Sequence, residues 1–156
     1  MDAFFVTIIT GLIATACMSL LLWIITRSQV ANAEMIRAVG SIFSRSYDKS
    51  FLPGLVIHFI VGTIIAFFYV ALINLFAPAS LAGSIAIGGM IGVFHGVAFG
   101  FTLVIAVAEH HPLEMFRTAG VEVAIAHFVG HVLYGMIVGL IVGLTGIKLF
   151  TSANIF

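Results

Sequence analysis

Four long apolar runs dominate this sequence and constrain what it can fold into. They cover roughly residues 3–26, 53–77, 81–108 and 118–150, and each is long enough to cross a bilayer core, which takes about 20 apolar residues in a helix. Across the chain 62% of the residues are hydrophobic and 8% are charged, whereas a soluble domain has about 25% charged residues. A water-soluble domain of this size has too much surface to bury so many apolar side chains. The sequence therefore predicts an all-α integral membrane four-helix bundle, with residues 1–156 forming one domain.

Charged residues are few and balanced, with six basic and six acidic side chains and a formal net charge of zero. A protein that binds nucleic acid usually carries a basic patch, so nucleic acid is not an expected partner. The single Cys17 leaves no second cysteine for an internal disulfide. The lipid bilayer is the first predicted partner, and other membrane subunits or further copies of this chain stay open as partners.

Basic residues are concentrated in the connections after the first and third runs, which lie on the same side of a four-span protein. These residues are Arg27, Arg37, Arg45 and Lys49 in the first connection and Arg117 in the third. The second connection, near residues 78–80, carries no charge. Because cytoplasmic loops are enriched in Lys and Arg, the first and third connections are predicted to be cytoplasmic and both termini to lie outside.

The first connection contains a short amphipathic segment. Its apolar residues at helical spacing are Met35, Ile36, Val39, Ile42 and Phe43. Polar residues, among them Glu34 and Arg37, occupy the opposite face. This pattern predicts a short interfacial helix between the first two spans, lying on the cytoplasmic membrane surface. A helix that docks a partner subunit is the alternative, and the basic residues favour the membrane surface with its anionic headgroups.

Small residues recur every fourth position in each span. The third span carries Gly88, Gly92, Gly96 and Gly100, and the fourth carries Gly135, Gly139 and Gly143. The first span has Gly11, Thr15 and Ser19 at the same interval, and the second has Gly62 and Ala66. Such stripes let helix backbones approach closely in lipid, so they predict a tight bundle. A groove for a flat ligand edge is the second interpretation of the same stripes.

Histidines within the spans are the strongest functional signal. They are His58, His95, His127 and His131. Ionisable residues at membrane depth usually face the bundle interior and often mark function. His95 lies 13 residues before Ala108, and His131 lies 13 residues after Thr118. At the helical rise both are about 20 Å from the cytoplasmic boundary, so they are predicted to share one level of the bundle.

Three hypotheses compete for these histidines. In the first, and favoured, hypothesis they bind no cofactor and hydrogen-bond neighbouring helices, with Thr15, Ser19, Thr63, Thr102 and Tyr134 as the available partners. In the second, His95 and His131 hold a b-type haem, or His58, His95, His127 and His131 hold a transition metal, since imidazole is the commonest neutral metal ligand. In the third, the histidines move protons or ions together with Glu122.

Catalytic patterns are absent from the sequence. Glu122 precedes His127 by five residues, so the Glu-x-x-His step of di-iron bundles is missing, and on a helical wheel it points away from His131. Glu109, His110, His111 and Glu114 end the third span and are expected to form a solvated cap. An enzyme is therefore not the favoured class, and no catalytic residue is assigned.

Several short motifs resemble a family of small bacterial membrane proteins. They are the residues from Gly11 to Met18, then His58-Phe59 with Gly62 and Tyr69, and Gly130-His131 with Tyr134-Gly135. Together these are similar to the uncharacterised four-helix inner-membrane proteins of the YagU-like families. The resemblance implies a bacterial cytoplasmic membrane and a four-helix bundle, and it brings no established activity.

The combined features favour a non-enzymatic polytopic membrane protein, an accessory or scaffold subunit of a bacterial inner-membrane complex. A haem- or metal-binding electron-transfer module that uses the buried histidines is the first alternative. A small transporter or channel is the second.

Overall fold

The computed structural model describes residues 2–101, 109–118 and 120–149. The helices in these ranges are α1 (Ala3–Arg27), α2 (Met35–Ser44), α3 (Phe51–Phe76), α4 (Leu81–His95), α5 (Glu114–Arg117) and α6 (Val121–Thr145), and α4 continues as a π-helix over Gly96–Phe101. Four of them are long and apolar enough to cross a membrane: α1, α3, α4 with its π-helical continuation, and α6. The prediction of an all-helical chain with four candidate spans is confirmed by these residues, which makes the chain a multi-pass membrane protein by the length and composition of its helices.

The helix ends follow local signals. The Asp2 side chain caps α1 by accepting a hydrogen bond from the backbone N–H of Phe4 at 3.1 Å. α3 begins at Phe51, two residues before the predicted start, so that Pro53 lies in the first turn, where its missing N–H costs no helical hydrogen bond. The predicted end of the third span at Ala108 lies outside the described residues.

α6 is shorter than the run of apolar residues that predicted it. It begins at Val121 rather than Thr118 and ends at Thr145, because Gly146 adopts a left-handed conformation with φ 63°. The Asn74 side chain then holds the next residues in a non-helical path. Its amide donates to the carbonyl of Ile147 at 3.0 Å and accepts from the backbone N–H of Leu149 at 2.9 Å. The predicted end at Phe150 lies outside the described residues.

Glycines allow α4 and α6 to touch along their backbones. A Cβ added at Gly88 would collide with the carbonyl oxygen of Gly135, and one added at Gly135 would collide with that of Gly88. A Cβ at Gly92 would lie 2.6 Å from the carbonyl oxygen of His131. Only glycine permits this approach, and it brings the histidines of the two helices to the same place in the bundle.

A second close contact fixes α2 against the beginning of α3. A Cβ at Gly40 would collide with the carbonyl oxygen of Ser50, and one at Gly54 would collide with that of Ile36. A helix is therefore formed over the amphipathic segment, Met35–Ser44, and it packs on the beginning of α3.

Candidate functional site

The bundle contains a cavity of about 490 Å³. Residues from α1 to α6 and from the π-helical segment line it, and all four histidines that the sequence singled out are among them: His58, His95, His127 and His131. The π-helix follows directly after His95, and π-helical turns inside α-helices are frequent at functional sites. The predicted candidates thus meet in one cavity.

His95 and His131 are stacked on each other. Their ring centroids are 4.2 Å apart and their planes are inclined by 27°. The depth calculation from the sequence predicts this level match, and the glycine contact between α4 and α6 explains why the rings also touch.

The stacked rings do not fit an axial haem. Two histidines that bind one haem iron need the porphyrin plane between them, and rings stacked at this distance leave no gap for it. Nor do the described residues contain any group of three His, Cys, Asp or Glu side chains placed to hold a metal ion. The geometry therefore gives no support to a haem or metal centre at His95, His131, His127 and His58.

Tyr69 is the hydrogen-bond partner that the sequence reasoning missed. Its hydroxyl lies 2.9 Å from Nδ1 of His95, and its side chain is buried. The helical spacing of Tyr69 from His58, Gly62 and Ala66 places all four on one face of α3, a signal that could have identified it.

The predicted hydroxyl partners are wrong for the described residues. Ser19 donates to the carbonyl of Thr15, Thr63 to that of Phe59, and Tyr134 to that of Gly62. These groups satisfy helix carbonyls and leave the imidazole rings to other partners. Thr102 lies outside the described residues.

Two buried polar atoms of residues that line the cavity have no hydrogen-bond partner among the described residues: Nε2 of His58 and Oγ1 of Thr15. The side chains of His58 and Thr15 are 9% and 1% exposed. Buried polar groups are nearly always hydrogen-bonded to protein or to ordered water. Oγ1 of Thr15 lies against Gly62 of α3, where an added Cβ would collide with it, so this atom belongs to the contact between α1 and α3.

Apolar side chains of α2 and α5 line another part of the cavity, next to the polar Asn32, Glu34 and His111. Met35, Val39 and Ile42 of α2 line it, together with Met115 and Phe116 of α5. The apolar face of the amphipathic helix is thus turned toward the cavity through these three residues, while Phe43 on the same helix is 68% exposed.

The prediction of a solvated cap after the third span is wrong for His111, which is buried. Its ring is 1% exposed, and its Nε2 lies 3.0 Å from the carbonyl oxygen of Ala38 in α2. The backbone N–H of Leu113 donates to its Nδ1 at 3.1 Å. Glu109, His110 and Glu114 are exposed, as the prediction required. The reason for the difference is that α2 packs over this connection and encloses the one ring that faces it.

Two carboxylates line the cavity, Glu34 and Glu122. Glu34 accepts a hydrogen bond from the Tyr47 hydroxyl at 2.8 Å. Burial raises the pKa of Tyr47 above its ordinary value, and the hydrogen bond to Glu34 and the negative charge of that carboxylate raise this pKa further. Glu122 lies in the first turn of α6 and is exposed.

The described residues thus define an all-helical multi-pass membrane protein with a histidine-lined internal cavity. Comparison of the chain with protein-family models, curated proteins and solved structures gave no match.

Proposed function

We propose that this protein is a non-enzymatic membrane protein that binds a small amphipathic molecule inside its helix bundle. The cavity of about 490 Å³, whose mostly apolar lining includes the imidazole groups of His95, His127 and His131, carries this proposal. Ligand pockets have volumes of about 300–1,000 Å³, mostly apolar walls and a few polar groups that orient the ligand. The cavity has each of these properties.

The orientation of the ligand follows from the arrangement of the walls. The apolar residues of α2 and α5 would bury its hydrophobic body, and the histidines would hold its polar group. Burial of apolar surface stabilises the complex by about 25 cal/mol per Å². A hydrogen bond to an imidazole of the lining would replace the one that the ligand's polar group loses when it leaves water.

We also propose that the chain lies in a bacterial cytoplasmic membrane with the first and third connections in the cytoplasm and both termini outside. The contact between His111 and Ala38 supports the pairing of these two connections, and both carry basic residues. The resemblance to the YagU-like families supports the bacterial membrane. In this orientation the part of the cavity lined by α2 and α5 faces the cytoplasmic surface, where α2 would also meet lipid headgroups.

The sequence-based proposal of an accessory or scaffold subunit is compatible with ligand binding, because a subunit can hold a ligand for its complex. Purification of the native protein tests that version, and a chain that always runs alone would count against it. A small transporter is the second candidate, and the cavity favours it because a carrier needs an internal binding site.

Photoaffinity labelling tests the binding proposal. A medium-chain alcohol with a diazirine in its chain is added to the purified full-length protein, and labelled residues are mapped by mass spectrometry. We expect labels on cavity residues such as Met35 and Met115. Ala38→Phe introduces a large ring into the cavity wall and should reduce this labelling.

The matched control is Ala86→Phe, the same change at an exposed position of α4 that does not line the cavity. It should leave the labelling of Met35 and Met115 unchanged. Labels spread evenly over the lipid-facing surface, with no effect of Ala38→Phe, would overturn the proposal.

A further inference from the structure

The histidine cluster of the cavity, formed by His58, His95, His127 and His131, consists of weak bases. Its four imidazole rings come from α3, α4 and α6. The acidic side chains among the described lining residues are Glu34, which already accepts the Tyr47 hydroxyl, and the exposed Glu122. A buried cation would need a nearby counter-charge, and the histidine cluster supplies none.

His127 presents a hydrogen-bond acceptor. Its Nδ1 lies 2.7 Å from the carbonyl oxygen of Val123, one turn earlier in α6. A carbonyl oxygen can only accept, so Nδ1 carries the proton, and in the neutral ring Nε2 has the free lone pair. The side chain of His127 is 7% exposed. This residue can therefore receive a proton from a donor in the cavity.

His95 presents a hydrogen-bond donor. Among the described residues, the Tyr69 hydroxyl makes its hydrogen bond with Nδ1 of His95. A buried phenol that accepted there would leave its own proton unpaired, which costs free energy. The hydroxyl therefore donates to Nδ1, and Nε2 of the neutral His95 carries a proton.

We propose that the ligand is a weak acid, a compact apolar molecule with one carboxyl group held in the histidine cluster. This proposal rests on the proposed function and names the ligand class. A neutral carboxylic acid offers one O–H donor and one carbonyl acceptor, which complement Nε2 of His127 and the N–H of His95. If the proton moves from the acid to Nε2 of His127, the result is an imidazolium–carboxylate pair with no net change in charge.

An acid of this kind suits the location of the cavity. In its neutral form it can cross the apolar part of a membrane, and the cluster can then hold either the acid or its ion pair. The cavity volume limits the molecule to the size of an ordinary small-molecule ligand, such as a medium-chain fatty acid, rather than a whole phospholipid.

Three diazirine probes with the same carbon chain test the proposal on the full-length protein: a carboxylic acid, a primary alcohol and a quaternary ammonium compound. Competition against the photolabelled acid gives the affinity of each. We expect the acid to bind about tenfold more tightly than the alcohol, because proton transfer to His127 makes their hydrogen bond charge-assisted, which the alcohol cannot achieve. The ammonium probe should bind most weakly.

The variant His127→Leu should lower the affinity for the acid to that for the alcohol. Alcohol labelling of Met35 and Met115 in the same variant, even at a lower affinity, shows that the cavity is intact, and His127→Gln, which cannot take up a proton, serves as a second variant if His127→Leu does not fold. His110→Leu is the matched control, because His110 is exposed and does not line the cavity.

The outcomes separate the two proposals. If the acid and the alcohol label the cavity equally, or the ammonium probe is preferred, the weak-acid proposal fails and the binding function stands. If none of the three probes labels the cavity, the proposed function fails as well. A selective loss of acid binding in the His127 variant supports both.

Discussion

The hydrogen bond between the Tyr69 hydroxyl and His95 determines which nitrogen of that imidazole faces the cavity. The Tyr69 and His95 rings belong to different helices. The Tyr69 ring also packs edge-to-face on Tyr134, with ring centroids 5.2 Å apart. Buried polar groups between helices have few alternative partners. Loss of this hydrogen bond should therefore change the orientation of the His95 ring and lower the stability of the protein.

Tyr69→Phe removes this hydroxyl and keeps the ring. We expect the free energy of unfolding in detergent to fall by about 1 kcal/mol, the usual net value of one buried hydrogen bond. A double-mutant cycle with His95→Phe isolates the interaction. If the two changes are additive in the cycle, the hydrogen bond does not contribute to stability.

The Tyr47 hydroxyl, which lies outside the spans, makes the stability of the protein depend on pH. Burial and the Glu34 carboxylate raise its pKa above the ordinary value of 10.0. The folded state therefore holds this proton more tightly than the unfolded state, so the stabilisation is present below pH 10.0 and is lost as the pH rises through the folded pKa. The difference in tyrosinate absorbance between the wild type and Tyr47→Phe should titrate above pH 10.0. The substitution Glu34→Gln should move the midpoint of this titration back toward pH 10.0.

At the scale of whole helices, the contact between α4 and α6 decides where the histidines lie. The stripes of glycine predicted close helix packing, but periodicity alone does not say which stripe meets which. The structure pairs Gly88 with Gly135, and this pairing places His95 on His131. A different rotation of α4 would have left the same glycines exposed to lipid and separated the two rings.

Gly88→Ala should force α4 and α6 apart, because its Cβ would meet backbone that cannot move aside. Such overpacking costs about 1–3 kcal/mol, which unfolding in detergent by denaturant would measure. Gly89→Ala is the matched control, since its Cβ would lie 3.2 Å from the flexible side chain of Met136. Equal stability of the two variants would contradict the helix contact.

At the scale of the whole molecule, the proposed orientation predicts which connections a membrane-impermeant thiol reagent reaches. In a Cys17→Ser background, Asp48→Cys and Glu114→Cys should be labelled only from the cytoplasmic side. Ala79→Cys should be labelled only from outside. All three positions are exposed, so their accessibility depends on the side of the membrane. Labelling of Asp48→Cys and Ala79→Cys from the same side would reject the four-span topology.

The sequence by itself determined the four apolar helices, their small-residue faces, the amphipathic segment and the level of His95 and His131. These features depend on local composition and on the fixed rise of a helix, both of which can be read along one chain. Pro53 indicated the start of the second span to within two residues, whereas the apolar run predicted the end of the fourth span at Phe150 and α6 ends at Thr145.

Only the tertiary structure decided what the histidines contact. Tyr69 became the partner of His95, His111 was enclosed under α2, and α2 turned Met35, Val39 and Ile42 toward the cavity. Each of these depends on how one helix is rotated against another, which is set by backbone contacts between residues far apart in the chain. Local periodicity carries no information about those contacts, so the cavity itself is a property of the packed bundle.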